Sequence, residues 1–144
     1  DDQVKRSVSA GAILNLGGEI PDGEGAFYPL TMLSNVTPGM PAFDEEIFGP
    51  VFTIIVADDN NHAIELANKS DFGLGSAVFT RDLIKGEEVA TKELQSGVCF
   101  VNDYVKSDPR LPFGGIKMSG YGRELSHYGM MEFVNIKTIV VKSS

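Results

Sequence analysis

The chain is short of positive charge. Its 144 residues carry 12 Lys and Arg against 20 Asp and Glu, for a net charge of −8. That balance excludes nucleic acid as a natural partner, because neutralising phosphates needs clustered Lys and Arg. It excludes anionic membrane surfaces for the same reason. Long hydrophobic runs are missing as well, and none approaches the ~20 residues that span a bilayer. The opening Asp1-Asp2-Gln3-Val4-Lys5-Arg6 has no apolar core behind its basic pair, so it does not read as a signal peptide. A single cysteine, Cys99, forbids an internal disulfide and points to a reducing, cytoplasmic setting. The two histidines, His62 and His127, do not form a metal pair at helical spacing and read as surface residues. No initiating Met stands at Asp1, so a fragment or a trimmed form is expected.

What is present is an ordinary globular composition in a single-domain length. Ser9 to Gly25 reads as a strand followed by a glycine-rich loop, and Phe27 to Val36 as a second strand broken by Pro38-Gly39-Met40-Pro41. Val51 to Ala57 is a continuous β-branched run, the pattern of a strand buried on both faces. Asp58 to Asn61 supplies cap residues for a helix over His62 to Lys69. Strands at Ser76 to Thr80 and Gly97 to Asn102 flank a second helix, Asp82 to Leu94, which Gly86 weakens. A long loop, Val105 to Gly122, precedes a last helix beginning near Glu124 and a final strand, Ile136 to Lys142. The alternation predicts an α/β fold: three layers, a mostly parallel sheet with helices on both faces, and a C-terminal edge strand. With no linker or repeat in view, one domain is expected.

Four groups of residues invite a chemical reading. Gly73-x-Gly75 and Gly120-x-Gly122 lack the third glycine and the strand–turn–helix setting of a dinucleotide fingerprint, so they read as turns. Cys99 lies mid-strand between Val98 and Phe100, where a small buried thiol is ordinary and a reactive thiolate is not. Two loops are left. Glu45-Glu46-Ile47-Phe48-Gly49-Pro50 offers carboxylates for ribose hydroxyls and a flat aromatic face, or simply a polar turn with Phe48 as a core plug. Lys106 to Gly115 (KSDPRLPFGG) places hydroxyl, cationic and aromatic groups after a strand end, where ligands bind in open α/β sheets; a stiffened surface loop is the plainer reading.

These motifs resemble the aldehyde dehydrogenase superfamily over nearly the whole chain. Glu45 to Val51 (EEIFGPV), Asp71 to Asp82 (DFGLGSAVFTRD) and Pro112 to Glu124 (PFGGIKMSGYGRE) all fit its C-terminal third. The resemblance implies NAD or NADP as cofactor, with the nicotinamide ribose on Glu46 and the ring near Phe48. It implies an aldehyde tunnel lined by Phe113, and it makes residues 1–133 part of the catalytic domain and residues 134–144 an oligomerisation strand for a homo-oligomer. The run VNDYVKSDPRLPFGG looks like bacterial succinate-semialdehyde dehydrogenases, whose serine at the position of Ser107 hydrogen-bonds the distal carboxylate of the small aldehyde substrate; other aldehyde specificities are the alternative. A hydroxyl suits a carboxylate, whereas an aromatic there would leave it unpaired. The chemistry implied is covalent: a cysteine thiolate attacks the aldehyde, hydride leaves to the nicotinamide, and a glutamate-activated water releases the acid. In the family that cysteine and glutamate precede the first motif seen here, and Cys99 is not at the matching position. The expectation is therefore no catalytic residue in this chain, no tightly bound cofactor, and no dehydrogenase activity from it alone. A free-standing binding or assembly module is the rival reading.

Overall fold

The computed structural model describes residues 1–143, and the chain divides into two compact units, Asp1–Ser70 and Asp71–Ser144. One body was expected, and no linker composition marks the division.

The first unit is built around a sheet of three short strands, β1 (Ile13–Leu16), β2 (Thr31–Ser34) and β3 (Val51–Thr53). β2 is central, antiparallel to β1 and parallel to β3. Its alternation puts Thr31 and Leu33 inward, and Leu33 is fully buried, worth about 2 kcal/mol by transfer. Around it Val4, Ala12, Val36, Met40 and Ala42 complete the core. Val4 comes from α1 (Asp2–Ser9) and Ala42 from α2 (Pro41–Asp44), whose proline takes a first-turn position where its missing N–H costs nothing. Ser7 locks the two helices: its buried hydroxyl donates to the Gln3 carbonyl at 2.7 Å and accepts from the Ala42 N–H at 2.9 Å. α3 (Asn60–Lys69) starts where expected, with the Asp59 carboxylate capping the His62 N–H at 2.8 Å.

The run Val51 to Ala57 departs from its reading. Only Val51–Thr53 pairs, and the Ile54 N–H makes a last bond to the Leu33 carbonyl. Among the described residues no further strand lies alongside, and Ile54, Ile55 and Val56 are exposed rather than buried on both faces.

The second unit holds two two-stranded ladders. β5 (Gly75–Val78) runs parallel to β6 (Val98–Val101), and β4 (Phe72–Gly73) runs antiparallel to β7 (Ile116–Lys117). Between β5 and β6 comes α4 (Leu83–Glu88), capped by Asp82 through the Lys85 N–H at 3.0 Å and prolonged by a π-helical turn, Val89–Glu93. Gly86 is buried there for space: a Cβ would stand 2.7 Å from Thr80 Cγ2 and 2.9 Å from Val101 Cγ1. α5 (Ser126–Met131) follows Leu125 and Ser126, both at positive φ (62° and 54°). The class is α/β, as expected; among the described residues two ladders are parallel and two antiparallel. The segment Ile136–Lys142 forms no ladder among the described residues, because a strand must find a second backbone to pair with, and its Ile136, Ile139, Val140 and Val141 stand exposed. No described helix is long and apolar enough to cross a membrane.

Candidate functional site

In the first unit the motif Glu45 to Pro50 fills the passage from α2 into β3. Its two carboxylates have different employment. Arg6 grips Glu45 with both terminal nitrogens, at 2.8 and 2.9 Å, while its Nε holds Asp2 at 2.7 Å. Gln3, one helical turn back, donates to the Glu45 carboxylate at 3.0 Å and to the Glu46 carbonyl at 3.1 Å. These bonds, Arg6 first and Gln3 second, hold the Glu45 carboxyl at about 2, well below the ordinary carboxylate range. Glu45 is thereby a tether between α1 and the motif. The Glu46 side chain is exposed and takes no hydrogen bond or ion pair among the described residues. Phe48 is 94% exposed, so it is not the core plug that the plainer reading allowed. It borders an open cleft of about 530 Å³ with Tyr28, Ile47 and Val51, and the buried Tyr28 hydroxyl has no partner among the described residues. The turn thus presents a free carboxylate, which accepts from hydroxyl groups, and a bare aromatic face, which suits a planar ring.

In the second unit the loop after β6 carries Ser107. Its cations are already engaged. Lys106 reaches Asp103 at 2.5 Å and lies 5.0 Å above the Tyr104 ring, and Arg110 forks onto Asp108 at 2.9 and 2.6 Å. Each pairing raises the base and lowers the acid from its ordinary value, the side-chain hydrogen bond being the main cause. Ser107 is exposed, and its hydroxyl has no partner among the described residues. Phe113 is half-buried and fixed by a two-way backbone bridge to Glu124, at 2.9 and 2.8 Å. It lines an open cavity of about 1160 Å³ with Leu74, Arg110, Arg123 and Leu125; Ser107 is not on that wall. Glycines allow close contact here: a Cβ on Gly114 would stand 2.7 Å from the Gly122 carbonyl oxygen, and one on Gly97 would stand 1.7 Å from the Gly114 carbonyl oxygen. Arg123 Nη1 pins the same turn through the Gly115 carbonyl at 2.9 Å.

Cys99 sits in β6 opposite Ser76 and is half-buried, less enclosed than its sequence setting suggested. His62 lies beside Asp58 at 3.1 Å, and His127 is exposed at the edge of Tyr128. No group of three His, Cys, Asp or Glu that could hold a metal occurs among the described residues. Sequence reasoning overlooked Gln3, Arg6, Asp103 and Asp108 as organisers. The i, i+3 spacing in α1 and the Asp-Pro-x turn signature were the signals that could have found them.

Residues 1–139 match the model of the Aldehyde dehydrogenase family. The chain is 52% identical over 137 residues to the succinate semialdehyde dehydrogenase, NAD(P)+, Sad of Escherichia coli, covering 95% of this chain and 29% of that protein. A succinic semialdehyde dehydrogenase from Streptococcus pyogenes, solved with NADP+ as the cofactor, superposes with a TM-score of 0.92 at 42% identity, covering 99% of this chain and 31% of that one. A betaine aldehyde dehydrogenase from Staphylococcus aureus, solved with NAD+, gives a TM-score of 0.86 at 36% identity, covering 92% of this chain and 27% of that one. The chain belongs to the aldehyde dehydrogenase family, and its fold is that of the family's catalytic domain. It spans about three tenths of the length of the curated relatives it matches.

Proposed function

We propose that this chain is the C-terminal portion of a cytoplasmic, NAD(P)-dependent succinate-semialdehyde dehydrogenase. In this reading it supplies one wall of the cofactor and substrate sites, without the nucleophile and the general base. Glu46 accepts hydrogen bonds from the nicotinamide-ribose hydroxyls, and Phe48 offers its open face to the ring. The dinucleotide, when bound, takes up the hydride. Ser107 donates to the substrate's distal carboxylate, and Phe113 borders the aldehyde's approach. Ile136 to Lys142 pairs with a neighbouring subunit.

The observation that carries the substrate reading is the uncommitted Ser107 hydroxyl between two cations already neutralised by their own acids. A buried carboxylate with no donor would be costly, and here a hydroxyl is the free donor. The similarity to relatives named for succinate semialdehyde supports the same choice. The spread of coverage, with only about three tenths of such relatives represented, supports the view that other residues do the covalent chemistry.

The test compares this chain with the same protein extended through its upstream coding sequence. Both are given succinate semialdehyde and NAD or NADP, and reduced nicotinamide is followed by absorbance. Turnover by the extended form alone supports the reading. Turnover by the short chain overturns it and sends the search for a nucleophile back to Cys99. In the extended enzyme Ser107→Phe should abolish the preference for succinate semialdehyde; a preserved preference removes the substrate assignment.

A further inference from the structure

Ser107 is followed by a corner closed upon itself. Asp108 Oδ1 accepts from the Arg110 backbone N–H at 2.9 Å and from Arg110 Nε at 2.9 Å, and Oδ2 accepts from Nη2 at 2.6 Å. The Asp108 carbonyl accepts from the Leu111 N–H at 2.9 Å, closing a four-residue turn with Pro109 at its second position, where the ring's fixed φ belongs. The Pro109 carbonyl in turn accepts from the Ser126 N–H at 3.1 Å. That peptide lies next to Leu125 and Ser126, whose positive φ is a conformation held only by surrounding structure.

An isolated ion pair on a surface stabilises little. The bonds converging on Asp108 are different in kind, since three of them meet on one carboxylate and fix direction as well as distance. Both carboxylate oxygens are engaged by Arg110, two residues on. The residue bonded directly to this corner is Ser107, whose exposed hydroxyl has no partner among the described residues. A hydroxyl contributes to recognition in proportion to how little it must reorganise on binding.

We propose that Asp108 is a positioning residue for the Ser107 hydroxyl, with Arg110 acting as the clamp on Asp108 rather than as a ligand of the substrate carboxylate. This rests on the reading of Ser107 as the donor to that carboxylate. Substrate selectivity then resides in a preset hydrogen bond, and the two cations of the loop serve its shape.

The experiment uses the full-length enzyme and two substrates, succinate semialdehyde and butanal, which matches its chain length without the carboxylate. Ser107→Ala raises KM for succinate semialdehyde about tenfold, the order expected for a hydrogen bond to a charged group. Asp108→Ala raises it about fivefold with kcat and the butanal constants nearly unchanged, because only orientation is lost. Asp108→Asn falls between wild type and Asp108→Ala, since its amide oxygen still accepts the Arg110 N–H while the ionic fork is gone. Thermal unfolding of each variant is followed in parallel. An Asp108→Ala enzyme with wild-type KM, beside an impaired Ser107→Ala, overturns the positioning role and leaves the carboxylate reading intact. Equal losses on both substrates with a lowered kcat overturn it in favour of a general structural role. If Ser107→Ala changes neither substrate, the carboxylate reading falls and takes this proposal with it.

Discussion

Two glutamates side by side in the chain, Glu45 and Glu46, show how much one arginine decides. Arg6 and Gln3 face Glu45 because they are three residues apart on α1 and therefore share a side of it. The side chain of Glu46, one peptide further on, takes no partner among the described residues. In the full-length enzyme Glu46→Gln should raise the dissociation constant for the nicotinamide nucleotide about tenfold, the order of one charge-assisted hydrogen bond, while leaving Tm in place. Glu45→Gln should do the reverse, lowering Tm with a small effect on nucleotide affinity. Titrating both variants by fluorescence and melting them separates the roles, and a swap of the two outcomes would refute the assignment. The same tether has a pH signature. Glu45 titrates at about 2 when folded against an ordinary 4.5, so its stabilisation is complete above the ordinary value and is lost as pH falls from 4.5 towards 2. In that window Glu45→Gln should flatten the fall of Tm with pH, and an unchanged slope would show that other carboxylates carry it.

At the scale of elements, the contacts of a single small residue set how helices meet their neighbours. Gly86→Ala would gain about 1 kcal/mol in helix propensity. Its Cβ would press on Thr80 Cγ2 and Val101 Cγ1, both on β-branched side chains with little freedom to turn away. Overpacking of that sort costs about 1–3 kcal/mol, so the net effect should be a loss of order 1 kcal/mol in denaturant unfolding. A stabilised Gly86→Ala variant would mean that α4 moves off β6 easily. Ser7→Ala tests the joint between α1 and α2. It leaves the buried Ala42 N–H without an acceptor, a penalty of about 1–3 kcal/mol. Element positions were largely legible: α3 begins beside its capping aspartate, β6 falls within the segment that reads as a strand, and β5 starts one residue before the segment read for it. Element lengths were less so. The run from Val51 to Ala57 has strand propensity throughout, but its ladder with β2 stops at Thr53 opposite Leu33, one residue before β2 itself ends.

The molecule as a whole exposes more large apolar side chains than a closed domain would. They include Ile54 to Val56, Phe48, Phe133 and the run from Ile136 to Val141. Apolar surface left contiguous and open marks a place where protein is meant to meet protein. Of these, Ile136 to Val141 combines β-branched residues with an unpaired backbone, the features that favour strand addition. The chain in dilute buffer should associate in a concentration-dependent way. The double change Ile139→Lys, Val141→Lys should shift it toward monomer in light scattering, because a charge cannot be buried unpaired against a second strand. No shift would locate the association at one of the other open surfaces.

Composition and motif order determined the class, the family resemblance and the loops to inspect, because hydrophobic period and glycine and proline punctuation are local properties of a chain. Which glutamate is spoken for, and which hydroxyl is left over, were decided only in three dimensions. Arg6 finds Glu45 across some forty residues of sequence, and Asp108 captures Arg110 through a turn whose geometry no spacing alone reports. Hydrogen-bond partnership depends on distance and direction between groups, and those are set by packing rather than by order along the chain.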